Sequence, residues 1–286
     1  MAIDLQLIEK VITEVLTEYT ANASRASGQN PAAVRPELTS AASREALLFQ
    51  PQDAAALQRM KQRTNARIGV GKTGARLMTQ TLLTLRADHA AARDAVFRDA
   101  AGDVVDSLGL FSVESKCANK NEFLTRPDLG RQLSEAAAQL LRDKCRPNPD
   151  IQVFAADGLS STAITANLPD LWPCLLDGLQ ARGVNMGTPF FVRHGRVGIM
   201  DQVAEIVGAK VVCVLLGERP GLATAESMSA YIAYNARVGM EESRRTVVSN
   251  IHRLGIPAVE AGAYLAELLV KVLEAKASGV ALNREG

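Results

Sequence analysis

Three short polar loops each follow an apolar run and carry residue types able to recognise or transform a ligand. Arg193-His194-Gly195-Arg196-Val197 follows Phe190 to Val192, and Gly217-Glu218-Arg219-Pro220-Gly221 follows the β-branched run Val211 to Leu216. Asp157-Gly158-Leu159-Ser160-Ser161 follows Ile151 to Ala156. Runs of such uniform hydrophobicity fit strands covered on both faces. In open α/β sheets, ligands bind outside the carboxyl ends of the strands. The loops therefore mark the expected ligand site.

Three chemistries can be weighed on these residues. Ala66-Arg-Ile-Gly-Val-Gly71-Lys72-Thr73 fits a phosphate-binding loop with alanine in place of the first glycine. Such a loop must follow a buried strand, and Arg59-Met-Lys-Gln-Arg-Thr-Asn65 is too polar to be one. The three histidines, His89, His194 and His252, have no partner at metal-ligand spacing. Ser160 and Ser161 lack the Gly-x-Ser-x-Gly elbow of a nucleophilic serine. Asp157-Gly158-Leu-Ser-Ser-Thr is not the G-x-G-x-x-G of a dinucleotide site, which disfavours a nicotinamide cofactor. No catalytic residue is assigned to this chain.

The elements that must position these loops are unevenly distributed. Ile3, Leu7, Ile8, Val11, Ile12, Val15, Leu16 and Tyr19 form one helical stripe, and residues 20–45 are rich in Ala, Ser, Asn, Gln and Pro. Residues 1–45 thus read as an amphipathic helix on a flexible linker. Residues 46–146 read as a helical region in which strands are hard to find. From 147 to 286 the pattern alternates: strands at 151–156, 189–192 and 211–216, and helices at 171–179, 202–207 and 259–276. That alternation predicts an α/β domain with a Rossmann-like, mostly parallel sheet and right-handed crossovers.

Composition narrows the function classes. The 286 residues are 47% hydrophobic and 22% charged, ordinary for a globular protein. A formal net charge of +1 gives no electrostatic case for nucleic acid or an anionic membrane. No apolar run approaches the roughly 20 residues that span a bilayer. The start of the chain lacks a secretory signal, and Cys117, Cys145, Cys174 and Cys213 show no CxxC spacing, as expected of an intracellular protein.

A set of segments then carries a resemblance. Asn121-Glu-Phe-Leu-Thr-Arg-Pro-Asp-Leu-Gly-Arg131, Asp157-Gly-Leu-Ser160, Gly187 to Arg196, Gly208-Ala-Lys-Val-Val212, Gly217-Glu-Arg-Pro-Gly-Leu222, Ser249-Asn-Ile-His252 and Lys276-Ala-Ser-Gly279 occur in that order. Over roughly residues 46–284 the chain resembles the small (light) subunit of ethanolamine ammonia-lyase, the adenosylcobalamin-dependent enzyme that converts ethanolamine to acetaldehyde and ammonia. The resemblance implies that residues 147–286 hold cobalamin against a large subunit whose barrel carries the substrate site. The family's cobalamin contacts carry over to Val197, Glu218 and Val247. The family has a cysteine at the last position, and the spacing from Tyr231 to Thr246 is one residue shorter here. The resemblance also implies delivery of the N-terminal helix to a bacterial microcompartment shell, with the cytoplasm as the alternative. From the residues alone, a non-catalytic α/β scaffold and a stand-alone small-molecule enzyme stay open.

Overall fold

The computed structural model describes residue 48 and residues 50–64, 66–98 and 102–282. The helix expected at 3–19 and the linker at 20–45 lie outside the described residues. The chain divides into two compact units, one through Thr84 and one from Leu85.

In the first unit, Asp53 caps helix α1 (Ala54–Gln62), its carboxylate accepting the Ala56 N–H at 2.8 Å. A two-residue hairpin follows, β1 (Lys72–Thr73) against β2 (Arg76–Leu77). Lys72 is exposed in that hairpin, and the segment before it contains α1, not a strand. The strand–loop–helix geometry of a phosphate loop is not formed there. Helix α2 (Thr79–Phe97) carries the chain on.

The second unit continues with α3 (Gly102–Ser107), β3 (Phe111–Glu114), α4 (Lys120–Thr125), α5 (Glu135–Lys144), β4 (Ile151–Ala156) and α6 (Ser161–Ala181). It ends with β5 (Phe190–Arg193), α7 (Ile199–Val207), β6 (Val211–Gly217), β7 (Met228–Tyr234), β8 (Thr246–Ile251) and α8 (Ala258–Ala275). One mixed sheet has the order β3-β5-β4-β6-β7-β8. Its first four strands are parallel, and β7 and β8 add antiparallel. The protein is thus α/β with a mostly parallel sheet.

Every residue of β4 and of β6 is buried, because helices cover both faces of the sheet. Ile151, Val153, Val211, Cys213 and Leu215 share one core with Leu168, Leu175, Leu265 and Leu269 of α6 and α8. Phe154, Val212, Val214 and Leu216 share the other with Leu141 of α5 and with Ile199 and Val203 of α7. Each fully buried Leu, Ile or Phe contributes about 1.5–3 kcal/mol of transfer free energy.

Three strands depart from the sequence reading. β3 lies in the stretch read as helical, and β7 and β8 extend the sheet past the expected last strand. Helix α6 also starts ten residues before Leu171. Ser160 caps it by accepting the Ala163 N–H at 3.2 Å, and the helix runs through Pro169 and Pro173.

Candidate functional site

The site begins where β4, β5 and β6 end. After β5 the chain turns sharply at His194, which adopts a left-handed φ of 56°. Asp157, directly after β4, holds this turn: its carboxylate accepts the Gly195 N–H at 3.2 Å. Asp157 is 2% exposed, and burial pushes its pKa up against the pull of Lys120, 3.9 Å away. Arg196 is fixed by the Asn121–Arg131 motif. Its guanidinium donates to the Phe123 carbonyl at 2.7 Å and lies 4.5 Å over the Phe123 ring, while its N–H donates to the Gly130 carbonyl at 2.8 Å. Val197, next in the chain, is thereby placed at the entrance to α7, where its carbonyl accepts the Met200 N–H at 3.1 Å.

The end of β6 is set by backbone packed on backbone. The Leu159 N–H donates to the Gly217 carbonyl at 2.9 Å, and a Cβ at Gly217 would run into the Ser160 carbonyl oxygen. Only glycine permits that approach. Glu218 then leaves the sheet with its N–H donating to Ser227 O at 2.9 Å. The Tyr231 hydroxyl donates to Glu218 Oε1 at 2.6 Å. Burial first, then the carboxylate, push the Tyr231 pKa up, so the phenol stays protonated and donates.

Val214, Tyr231 and Val247 form one row across β6, β7 and β8. Val247 is 46% exposed, while its neighbour Val248 is 8% exposed in the opposite core. The sheet face bearing Tyr231 is therefore open to solvent at its last strand. The structure joins Glu218 and Val247 through Tyr231. Val197 borders the same core as Tyr231, and a buried ion pair ties its helix to β8: Arg245 donates to both oxygens of Asp201 at 2.9 and 2.8 Å.

Two further motifs shape this edge. Ser278 accepts the Tyr234 N–H at 2.9 Å and donates to the Arg244 carbonyl at 2.5 Å, and the Gly279 N–H donates to Thr246 Oγ1 at 2.8 Å. The Lys276–Gly279 segment thus pins the end of β7 beside the start of β8. His252, inside the Ser249–His252 motif, contacts Asn250 Oδ1 at 2.7 Å through Nε2 and accepts the Leu254 N–H at Nδ1.

A cleft of about 310 Å³ opens at the carboxyl ends of β3, β4 and β5, lined by Glu114, Asn119, Lys120, Asp157, Arg193 and His194 among others. Its Phe191 and Val105 belong to the core opposite that of Tyr231, so it lies on the other sheet face. No cluster of potential metal ligands occurs among the described residues. The four cysteines are free, and burial pushes the Cys145 and Cys213 thiols up to about 11 and about 12. These two are packed side chains, not nucleophiles. No described helix is long and apolar enough to cross a membrane.

Sequence reasoning missed Tyr231 and the Asp201–Arg245 pair. Tyr231 depends on which strands pair and the ion pair on how a helix packs beside β8, and no local motif marks either.

Comparison with known proteins identifies the family. The family model described as ethanolamine ammonia-lyase light chain (EutC) matches residues 54–283. The ethanolamine ammonia-lyase small subunit of Fusobacterium nucleatum is 57% identical over 219 residues, covering 77% of this chain and 74% of its own length. That of Clostridium tetani is 48% identical over 286 residues, covering 97% of each chain. That of Listeria innocua is 45% identical over 97% of this chain and 98% of its own length. A match of this extent places the chain in the ethanolamine ammonia-lyase light-chain family, the small subunits of a lyase.

Proposed function

We propose that this chain holds adenosylcobalamin against a large catalytic subunit, in the conversion of ethanolamine to acetaldehyde and ammonia. The observation that carries this reading is the Glu218–Tyr231–Val247 surface on an open sheet face. Cobalamin is a large ligand rimmed by amides. Glu218 offers such a rim a carboxylate whose Oε2 takes no partner among the described residues. Val247 offers an exposed apolar side chain on the edge strand, where half of the backbone groups point away from β7. A valine in place of the family's cysteine keeps a backbone contact and forgoes any contact through sulfur. The residues present fit the cofactor.

When bound, the cofactor supplies the cleavage of its own cobalt–carbon bond. This chain's residues bind and orient. Glu218 accepts an amide N–H, Val247 and the Tyr231 ring present apolar surface, and Val197 closes the site from the start of α7. On this reading the parallel strands, with helices on both faces, serve as a Rossmann-like platform. The N-terminal 45 residues would deliver the assembly to a microcompartment shell.

The test is reconstitution. Adenosylcobalamin should bind tightly, and ethanolamine should turn over, only when this chain and the large subunit are mixed. Glu218→Ala should weaken cofactor binding about tenfold or more, the effect of losing a charge-assisted hydrogen bond. The KM for ethanolamine at saturating cofactor should hardly move. A large KM change with cofactor affinity intact would overturn the assignment. The cleft holding buried Asp157 and Lys120 is the feature that a stand-alone enzyme would use, and turnover by this chain alone would favour that reading.

A further inference from the structure

We infer that Tyr231 is a positioning residue of the cofactor site, aiming the Glu218 carboxylate with its hydroxyl and joining Glu218 to Val247 with its ring. The inference rests on the cofactor-subunit reading above and adds a residue to it.

Three observations carry it. The first is the contact itself: Tyr231 Oη to Glu218 Oε1 at 2.6 Å is a short, charge-assisted bond. It occupies one carboxylate oxygen and leaves Oε2 without a partner among the described residues. A glutamate at the end of a strand has three side-chain torsions to fix, and an unanchored one loses rotamer freedom when a ligand binds. The phenol fixes those torsions beforehand.

The second is how Tyr231 is held. β6 and β7 pair over seven consecutive positions, from Val211↔Tyr234 to Gly217↔Met228, so Tyr231 cannot slide relative to Val214. Its ring packs half-buried against the core formed with α5 and α7. Position and direction of the hydroxyl are therefore set by the sheet.

The third is register. Met228 pairs with Ile251, but Ala230 pairs with Val248, a slip of one residue between them. Without that slip Tyr231 would stand opposite Val248, which the slip instead turns into the other core. With it, Tyr231 stands opposite Val247, whose side chain is exposed. A one-residue slip exchanges the two faces of a strand. Here it places an apolar exposed residue beside the residue that anchors Glu218.

The test is a double-mutant cycle on the assembled two-subunit enzyme, reading adenosylcobalamin affinity by its absorbance change. Tyr231→Phe keeps the ring and should raise the cofactor Kd about three- to tenfold while the two subunits still assemble and unfold cooperatively. In a Glu218→Ala background the same change should add less than about twofold, because the tyrosine then has nothing to aim. Tyr231→Leu should weaken binding further than Tyr231→Phe, since the ring surface is lost as well. If Glu218→Ala leaves cofactor affinity intact, the underlying cofactor assignment falls. If Glu218→Ala weakens binding but Tyr231→Phe is silent, or its effect is undiminished in the Glu218→Ala background, the positioning role is overturned while the cofactor assignment stands.

Discussion

Asp201 and Arg245 show how single side chains hold together the elements that carry the candidate site. Their side chains are 7% and 2% exposed and meet through two hydrogen bonds. Burial pushes the Asp201 pKa up, and the Arg245 hydrogen bonds and charge oppose that push. Burial also works against the Arg245 charge, but Glu242 and Asp201 more than offset it. A buried pair of this kind adds little net stability over an apolar pair, yet removing one partner leaves an uncompensated charge. Arg245→Met should therefore cost about 3–5 kcal/mol in urea unfolding. Adding Asp201→Leu should recover much of that loss. Equal destabilisation of the single and double variants would mean that the charge left on Asp201 is not the cause. Arg245 lies two residues before Val247, and Asp201 lies four after Val197. Cofactor affinity should fall in Arg245→Met even at temperatures where the fold persists.

Among the elements, the loops after β4 and β6 are packed so closely that two glycines are obligatory. A Cβ at Gly158, which has a φ of +56°, would meet the Gly217 carbonyl oxygen, and one at Gly217 would meet the Ser160 carbonyl oxygen. Neither neighbour is a flexible side-chain end that could move aside. Gly217→Ala should push β6 away from the start of α6 and carry Glu218 with it. The expected result is destabilisation of about 1–3 kcal/mol, typical of overpacking, together with weaker adenosylcobalamin binding. Full cofactor affinity in a folded Gly217→Ala enzyme would show that Glu218 does not depend on this contact. The same elements explain what could be read from the sequence. β6 was legible because burial on both faces writes an unbroken apolar run, and β4 because only Gln152 interrupts its own. β3 is four residues long with a mixed burial pattern, and β8 pairs its residue types two by two within Thr246-Val-Val-Ser-Asn-Ile251, with no period of two to follow. β7 is built from Ser229, Ala230 and Ala233 between larger residues, which blurs its period. The loops bearing Val197 and Glu218 were visible as polar breaks after strands. Tyr231 was not, because the role proposed for it arises only when β6 pairs with β7 and the register between β7 and β8 slips by one.

For the whole molecule, the open question is what the segment before residue 46 adds. The family match begins at residue 54, and the site residues, their anchors and both cores lie in the second unit. The stripe Ile3, Leu7, Ile8, Val11, Ile12, Val15, Leu16 and Tyr19 has the spacing by which an amphipathic helix anchors in a partner's groove. The polar composition of residues 20–45 fits a helix that docks away from its own domain. Under the proposed delivery to a microcompartment shell, a chain starting at residue 46 should assemble with the large subunit and retain most ethanolamine turnover. Replacing Ile8, Ile12 and Leu16 with serine in the full chain should likewise spare turnover while abolishing enclosure, measured as co-sedimentation with purified shells. The proposed reading makes these two outcomes separable, since it assigns cofactor binding to the sheet face and delivery to the apolar stripe. If the shortened chain fails to assemble, or loses most of its turnover, the segment belongs to the catalytic assembly and the delivery role is wrong.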